Sequence, residues 1–405
     1  MTWSPDQETA MKRIGDWLKN GGKRFSLGGY AGTGKTTLAK HIAENVDGEV
    51  AFCAFTGKAA NVLRSKGCPG ATTIHKLIYD PKGDSEGAAI ANLQDALMLE
   101  TQKPDKDEKR VAELQVELSK LKKDNDAMFS RKEASDISTA KLVIVDESSM
   151  VDRRIGNDLE FFGVPVLYLG DPGQLQPVKG KAHLVDGDYD YVLEQIHRQA
   201  EGSPIIQLAS QIRQGKSFKF GSYGDNDEVL IAKKSEWDID RVDGADQIIT
   251  GTNASRARLN RVMRKHRDFK YVLPSVGDKL ICRQNDHDAG YLNGAVGVAR
   301  GDADLKASGL MFLDIEYEGS FRPRVICDPG MFEENYPAGR IHTGRGAGVQ
   351  RFDYGYCITG HKSQGSQWNH VVIADDKMRA FDKEARRRWM YTVFTRAEER
   401  LTYYV

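Results

Sequence analysis

The sequence predicts an α/β fold of two domains built on parallel sheets, each interrupted by an insertion. Three observations carry that expectation. Strand-like apolar runs alternate with helical stretches over residues 24–80 and again over 141–170, each run ending in a polar loop as parallel strands do. The same style begins anew at DQIITGTNASRARLNRVMRK, from residue 246, and returns over 351–405. Between these blocks the composition changes twice, at 82–135 and at 271–350.

In chain order, the first informative stretch is FSLGGYAGTGKTTLAKHIAENV. Gly29, Gly34, Lys35 and Thr36 fill the pattern Gly-x4-Gly-Lys-Thr between a strand-like run and a helical one. Such a loop turns backbone N–H groups onto phosphate oxygens, its lysine neutralises β/γ charge and its hydroxyl can ligate Mg²⁺. The helix behind it adds its dipole. Gly32, Thr33 and Thr37 complete the set expected around a bound nucleotide. The loop alone does not say what hydrolysis would drive.

VAFCAF (50–55), KLVIVDE (141–147) and VPVLYLGD (164–171) read as further strands. The intervening 82–135 segment is charge-rich, with Ile90, Leu93 and Leu97, then Val111, Leu114, Leu118 and Leu121, at helical spacing. Pro104 in KPDK breaks that stripe, so the segment reads as an antiparallel helical hairpin inserted in the first domain, with a disordered charged linker as the alternative. Residues 271–350 carry short strand-like pieces (DKLICRQ, GAVGVAR, MFLDIEY, RPRVICD) among Gly and Pro, the pattern of a small barrel or meander.

Chemistry concentrates at the strand ends. In KLVIVDESSM, Asp146 is placed to hold Mg²⁺, usually through water, and Glu147 to orient or deprotonate the attacking water. A surface acidic pair capping the next helix is the bland alternative. In LGDPGQLQPV the Gln174 amide could sense a γ-phosphate, although the stretch also reads as a simple turn. YCITGHKSQGSQWNHVVIA gathers Thr359, His361, Lys362, Ser363 and Gln364 around Gly360 and Gly365, five donors suited to phosphates. Arg396 follows a semi-apolar helical run and, in isolation, reads as a surface ion-pair residue.

Composition narrows the classes. Lys+Arg and Asp+Glu are both 58 in 405 residues, so any nucleic-acid contact must come from a local groove rather than accumulated charge. Hydrophobic residues make up 40%, which excludes wholesale disorder. The five cysteines are scattered without a CxxC, the pattern of free thiols in a reducing compartment. MTWSPDQETA lacks a signal-peptide layout, and no apolar run is long enough to span a bilayer, so a cytoplasmic setting is expected.

In order and separation these motifs resemble the superfamily 1B helicases, RecD-like and phage Dda-like, from Gln7 to Arg396. SPDQETA resembles the adenine-reading segment, GGYAGTGKTT motif I, AFTGKAANVL motif Ia, and ATTIHKLI the segment after it. VIVDESSM resembles motif II, LGDPGQLQPV motif III, LEQIHRQ motif IV, TGHKSQGSQW motif V and YTVFTRA motif VI. The resemblance implies two RecA-like domains: 1–80 with 136–190, and 191–270 with 351–405. It also implies an SH3-like barrel over 271–350. It implies ATP and Mg²⁺, with Gln7 on the base, and Arg198 and Arg396 as arginine fingers beside Lys35, Glu147 and Gln174. Single-stranded DNA would meet Thr56, Lys58, Thr73, His75, Thr252, Asn253, Thr359, His361 and Lys362. His197 stands where many members stack an aromatic on adenine, and the helical reading of 81–135 stands where Dda-like members carry a short β-hairpin pin.

The implied activity is 5′→3′ translocation on single-stranded DNA and duplex unwinding in replication, recombination or repair. It would be performed by a monomeric motor in a bacterial or phage-infected cell. The 81–135 insertion would serve as a replacement strand-separating wedge or as an arm that docks a protein partner. An RNA helicase of the same superfamily and a regulatory ATPase that recruits a partner without unwinding remain open.

Overall fold

The computed structural model describes residues 3–81, 129–132, 136–176, 182–184, 189–196, 202–284, 286, 289–307, 309–317, 319–333, 348–376 and 382–405. His197, Arg198 and residues 82–128, on which the helical-hairpin expectation rests, lie outside them.

LVIVD at 142–146 has four consecutive buried apolar residues, the signature of a strand covered on both faces. It sits near the middle of a six-stranded sheet. The order across that sheet is Thr72–Thr73, Val50–Ala54, Leu142–Asp146, Val166–Gly170, Arg24–Gly29 and Tyr191–Leu193. Every pairing is parallel. Register decides what this edge presents: Ala54 lies opposite Asp146, and Gly28 opposite Gly170. The phosphate loop, Thr56, Asp146 and Asp171 therefore all emerge at the carboxyl edge, where open α/β sheets bind ligands. Leu38, Ala39 and Ile42 bury one face of the Lys35–Glu44 helix against Leu27, Leu142 and Leu167. Each buried leucine or isoleucine among them contributes roughly 1.5–3 kcal/mol by leaving water.

A second six-stranded sheet runs Cys357–Thr359, Gln247–Thr250, Trp368–Ala374, Ala397–Tyr404, Val229–Ala232 and Gly221–Tyr223. It is parallel except at its last edge. Thr250 lies opposite Thr359, so the turns after these two strands also share an edge. Trp389, Val393 and Phe394 of the Lys383–Phe394 helix pack one face, with Leu208 and Ile212 of Pro204–Arg213. The other face is continuous with a third, antiparallel sheet. That sheet is ordered Asp304–Leu305, Met311–Tyr317, Val296–Ala299, Lys279–Cys282 and Phe352–Tyr354, with Ser320–Cys327 paired to Met311–Tyr317. Met311–Tyr317 alternates buried and half-buried residues, as a strand with one inward face does. The architecture is thus a mixed α/β fold with two parallel sheets.

Two boundaries differ from expectation. Tyr191–Leu193 completes the first sheet beside Arg24–Gly29, because Asp190 caps the pairing by accepting from the Ser26 amide and hydroxyl, both at 2.7 Å. Phe352–Tyr354 belongs to the antiparallel sheet, opposite Lys279–Cys282, and not to the returning parallel pattern. Residues 75–138 form a separate compact unit. Within it Tyr79–Pro81 pairs antiparallel with Phe129–Arg131, which corrects the helical reading at the end of the 81–135 segment. Neighbouring antiparallel strands let a long excursion leave and return at one place with the backbone groups paired.

Candidate nucleotide site and nucleic-acid face

The phosphate loop leaves the first sheet at Gly29. Gly32 (φ 81°) and Gly34 (φ 78°) adopt the left-handed region that L side chains avoid, and Gly34 starts the Lys35–Glu44 helix. A Cβ at Gly34 would stand 2.8 Å from Gln7 Nε2, and one at Gly29 2.7 Å from Thr33 Oγ1. Lys35 Nζ donates to the Gly29 carbonyl and, at 3.3 Å, to that of Tyr30. No carboxylate pairs with it among the described residues, which leaves its charge for an anionic ligand. Thr33 is buried and donates to the Tyr30 carbonyl at 2.8 Å, while Thr37 faces solvent. Gln7 is also buried: its amide oxygen accepts from Ser4 N and its nitrogen donates to the Thr33 carbonyl at 3.1 Å, bracing the loop.

Behind the loop, Thr36 Oγ1 donates to Asp146 Oδ2 at 3.2 Å, placing a hydroxyl and a carboxylate side by side. That pair fits Mg²⁺, which is held by one or two protein oxygens together with phosphates and water. Among the described residues no cluster of three His, Cys, Asp or Glu side chains offers a rival site. Glu147 follows at φ 53°, an uncommon backbone state for a non-glycine residue. Burial raises its carboxyl above the usual carboxylate range; Arg396 opposes that, Asp146 adds to it, Lys35 opposes and Asp171 adds.

A general base must be ionised, so turnover should fall on acidification starting above the ~4.3 of a free glutamate. Glu147→Gln should lose about 10²-fold in turnover together with this acid limb. The folded chain binds the Glu147 proton more tightly than the unfolded chain. Ionisation therefore costs folding free energy as pH rises from the unfolded pKa through the folded one. Glu147→Gln should accordingly melt at a higher temperature than wild type at pH 7, with the gain vanishing near pH 4. An unchanged acid limb in the variant would remove Glu147 from the role.

The Lys383–Phe394 helix of the second sheet faces this edge. Arg396, just past its end, is 4% exposed and donates to the Thr392 carbonyl (2.9 Å), the Ser366 carbonyl (3.2 Å) and Thr395 Oγ1 (3.0 Å). Gln174 is buried with its amide nitrogen 3.4 Å from Asp171 Oδ2, and its Oε1 has no hydrogen-bond partner among the described residues. Gln364, grouped with the phosphate donors from the sequence, instead donates to the Leu175 carbonyl at 2.9 Å.

The residues expected on DNA divide by role. Thr56 and Thr252 each cap a helix, accepting from Ala59 N at 3.1 Å and Ser255 N at 3.2 Å. Both helix N-termini thus point their amides outward from equivalent strand ends, an arrangement that favours phosphate. Lys58 sits 4.5 Å over the Trp368 ring, joining the two sheets by a cation–π contact. Thr73 is buried on its strand, and His75 lies in the 75–138 unit with its ring 5.5 Å from that of Tyr79. Thr252, Asn253, Thr359, His361 and Lys362 line one concavity of about 360 Å³. Arg256, Arg283 and Asn293 line it too, and sequence reasoning missed them. Arg256 and Arg283 both pair with the fully buried Asp353, which fixes their guanidiniums. Burial, then Arg283 and Arg256, lowers the Lys362 pKa, and burial lowers that of His361, which favours its neutral form. The missed arginines had a signal only in part: Arg256 falls one turn after the Thr252 cap, whereas Arg283 comes from the distant third sheet.

Fold and site together define a P-loop protein whose phosphate loop is faced by a second parallel sheet. The family model described as an AAA domain matches residues 2–234, and one described as a UvrD-like helicase C-terminal domain matches 354–403. The ATP-dependent RecD2 DNA helicase of Deinococcus radiodurans is 25% identical over 405 residues, covering 92% of this chain and 46% of that protein. The ATP-dependent DNA helicase dda of Enterobacteria phage T4 is 23% identical over 224 residues, 52% of this chain and 42% of that protein. The chain thus spans less than half the length of these curated relatives. Among solved structures, two coordinating Pif1 helicases at forked dsDNA give a TM-score of 0.55 at 18% identity, over 100% of this chain and 92% of that one. Bacteroides Pif1 in complex with ADP-AlF3 and ssDNA gives 0.53 at 17%, with the same coverage. At that identity the likeness is one of fold. The chain belongs to the AAA-domain family, whose model covers more than half of it.

Proposed function

We propose that the chain is an ATP-dependent 5′→3′ translocase on single-stranded DNA that unwinds duplexes. The observation that carries this reading is the approach of the second sheet to the nucleotide edge of the first: Arg388 of the Lys383–Phe394 helix donates to the Pro172 carbonyl at 3.0 Å, and Arg396 just past that helix bears, with Lys35, on the Glu147 carboxyl. A site assembled from both halves turns over only when they are together, which couples hydrolysis to closing and opening. In this reading residues through Leu193 form one RecA-like lobe, and the second parallel sheet the other. The antiparallel sheet of 279–354 is an SH3-like insertion. Lys35 and Gln174 hold the phosphates, Thr36 and Asp146 hold Mg²⁺, Glu147 takes the proton from water, and Arg396 offsets developing charge. Mg²⁺, when bound, would neutralise charge on the β- and γ-phosphate oxygens.

The helix N-termini at Thr56 and Thr252 and the concavity around Lys362 support a DNA track that meets backbone and not sequence. RecD2, dda and Pif1 are named as DNA helicases, which favours DNA over RNA. The test is turnover with poly-dT and with poly-U, followed by unwinding of 5′- and 3′-tailed duplexes. We expect poly-dT to stimulate more strongly and only the 5′-tailed duplex to open. No stimulation by single-stranded DNA would sink the motor; a poly-U preference would move it to RNA, and opening of the 3′-tailed duplex would reverse the polarity.

A further inference from the structure

We propose that Tyr391 is a positioning residue of this ATPase, the side chain through which the second sheet holds the phosphate loop and the 171–175 loop in one fixed relation. The proposal rests on the ATPase reading above and gives a role to Tyr391, the first residue of the YTVFTRA stretch, of which the sequence reading used only Arg396.

Tyr391 lies on the Lys383–Phe394 helix and is 2% exposed. Its hydroxyl accepts from the Ala31 amide at 2.9 Å and donates to Asp171 Oδ2 at 2.8 Å. Ala31 is inside the phosphate loop, between Gly29 and Gly32, so one of the loop's backbone donors is anchored on the opposite sheet. Asp171 is buried as well; its second oxygen accepts from Gly173 N at 2.9 Å, and Gln174 Nε2 reaches its first. The loop carrying Gln174 is gripped further by the same helix. Arg388 Nη1 donates to the Pro172 carbonyl at 3.0 Å, and Thr392 Oγ1 accepts from Leu175 N at 2.9 Å. A Cβ at Gly173 would lie 2.9 Å from Tyr391 Cε1, so the approach needs glycine there. Beside Ala31, the Tyr30 ring lies 3.6 Å beneath the Arg213 guanidinium, a second grip by a helix of the second sheet.

The phenol must donate and accept at once, which only its protonated form does. Burial and the neighbouring Asp171 keep it protonated well past its ordinary value. A hydroxyl donating to a buried carboxylate is a charge-assisted bond, and bonds in such a chain polarise one another. The chain Ala31–Tyr391–Asp171–Gln174 therefore links the loop that cradles phosphate to the amide placed to sense it.

Tyr391→Phe tests this, because it keeps the ring against Gly173 and the Trp389 cluster and removes only the bridge. DNA-stimulated kcat should fall about 10- to 100-fold while the KM for ATP stays within about threefold. Hydrogen exchange at the Ala31 amide should accelerate about tenfold or more without nucleotide. Wild-type kcat together with wild-type Ala31 exchange would overturn the proposal. A fall in kcat accompanied by lower Tm and raised KM would also overturn it, since that is lost packing. Absence of DNA-stimulated turnover in the wild type would sink the helicase reading instead, and the Ala31 exchange would still decide whether the bridge exists.

Discussion

Arg396→Ala is expected to bind ATP nearly as wild type does and to hydrolyse it about 10³- to 10⁵-fold more slowly. The guanidinium is held in place before any nucleotide arrives: three acceptors of its own sheet fix its nitrogens, and its charge already lowers the proton affinity of Glu147. Such a fixed charge needs no reorganisation when the transition state forms, which is where preorganised electrostatics gain most. Removing it has a second, separable consequence. Glu147 loses the largest influence opposing its raised carboxyl, so the acid limb of turnover should move to still higher pH. Arg396→Lys should rescue little, because one ammonium cannot satisfy the three acceptors the planar fork reaches. Single-turnover kinetics beside a melting curve separate chemistry from folding. Hydrolysis at the wild-type rate in Arg396→Ala would remove the finger role.

Lys35→Ala should reduce turnover by about 10³-fold or more while single-stranded DNA still binds. Among the described residues the lysine ammonium donates only to the carbonyls of Gly29 and Tyr30, so its loss should change Tm little. The concavity lined by Thr252, Arg283 and Lys362 does not include it, so DNA affinity without nucleotide should be close to wild type. Fluorescence anisotropy with a labelled oligonucleotide and steady-state turnover check the two halves. Turnover within tenfold of wild type would mean that another cation supports the phosphates.

The legible parts of the site were those whose geometry is local. Gly-x4-Gly-Lys-Thr carries its loop and helix start within one turn of chain, and Gly32 and Gly34 show the positive φ that such spacing requires. VIVDE was equally readable, because four buried apolar residues before an acidic pair define a strand end. The family resemblance puts Thr56 and Thr252 on DNA, yet their hydroxyls cap helices, a use that threonine before a helical run also signals. The strand at Tyr191–Leu193 was harder, since three residues have little periodicity and their sheet is settled by Asp190 reaching Ser26. The strand at Phe129–Arg131 is equally short and is defined by its partner at Tyr79–Pro81.

By itself the sequence determined the phosphate loop, the acidic pair, the order of motifs and the alternation of strands and helices. All of these depend on residues within a turn or two of one another, where backbone geometry and apolar spacing act directly. Tertiary structure alone decided that Tyr391 meets Ala31, that Gln364 holds Leu175, that Lys58 lies on Trp368, and that Arg256 and Arg283 share Asp353. Those partners are up to 360 positions apart in the chain. Their meeting depends on how the sheets and the helices on them pack, a global free-energy minimum that no local spacing encodes.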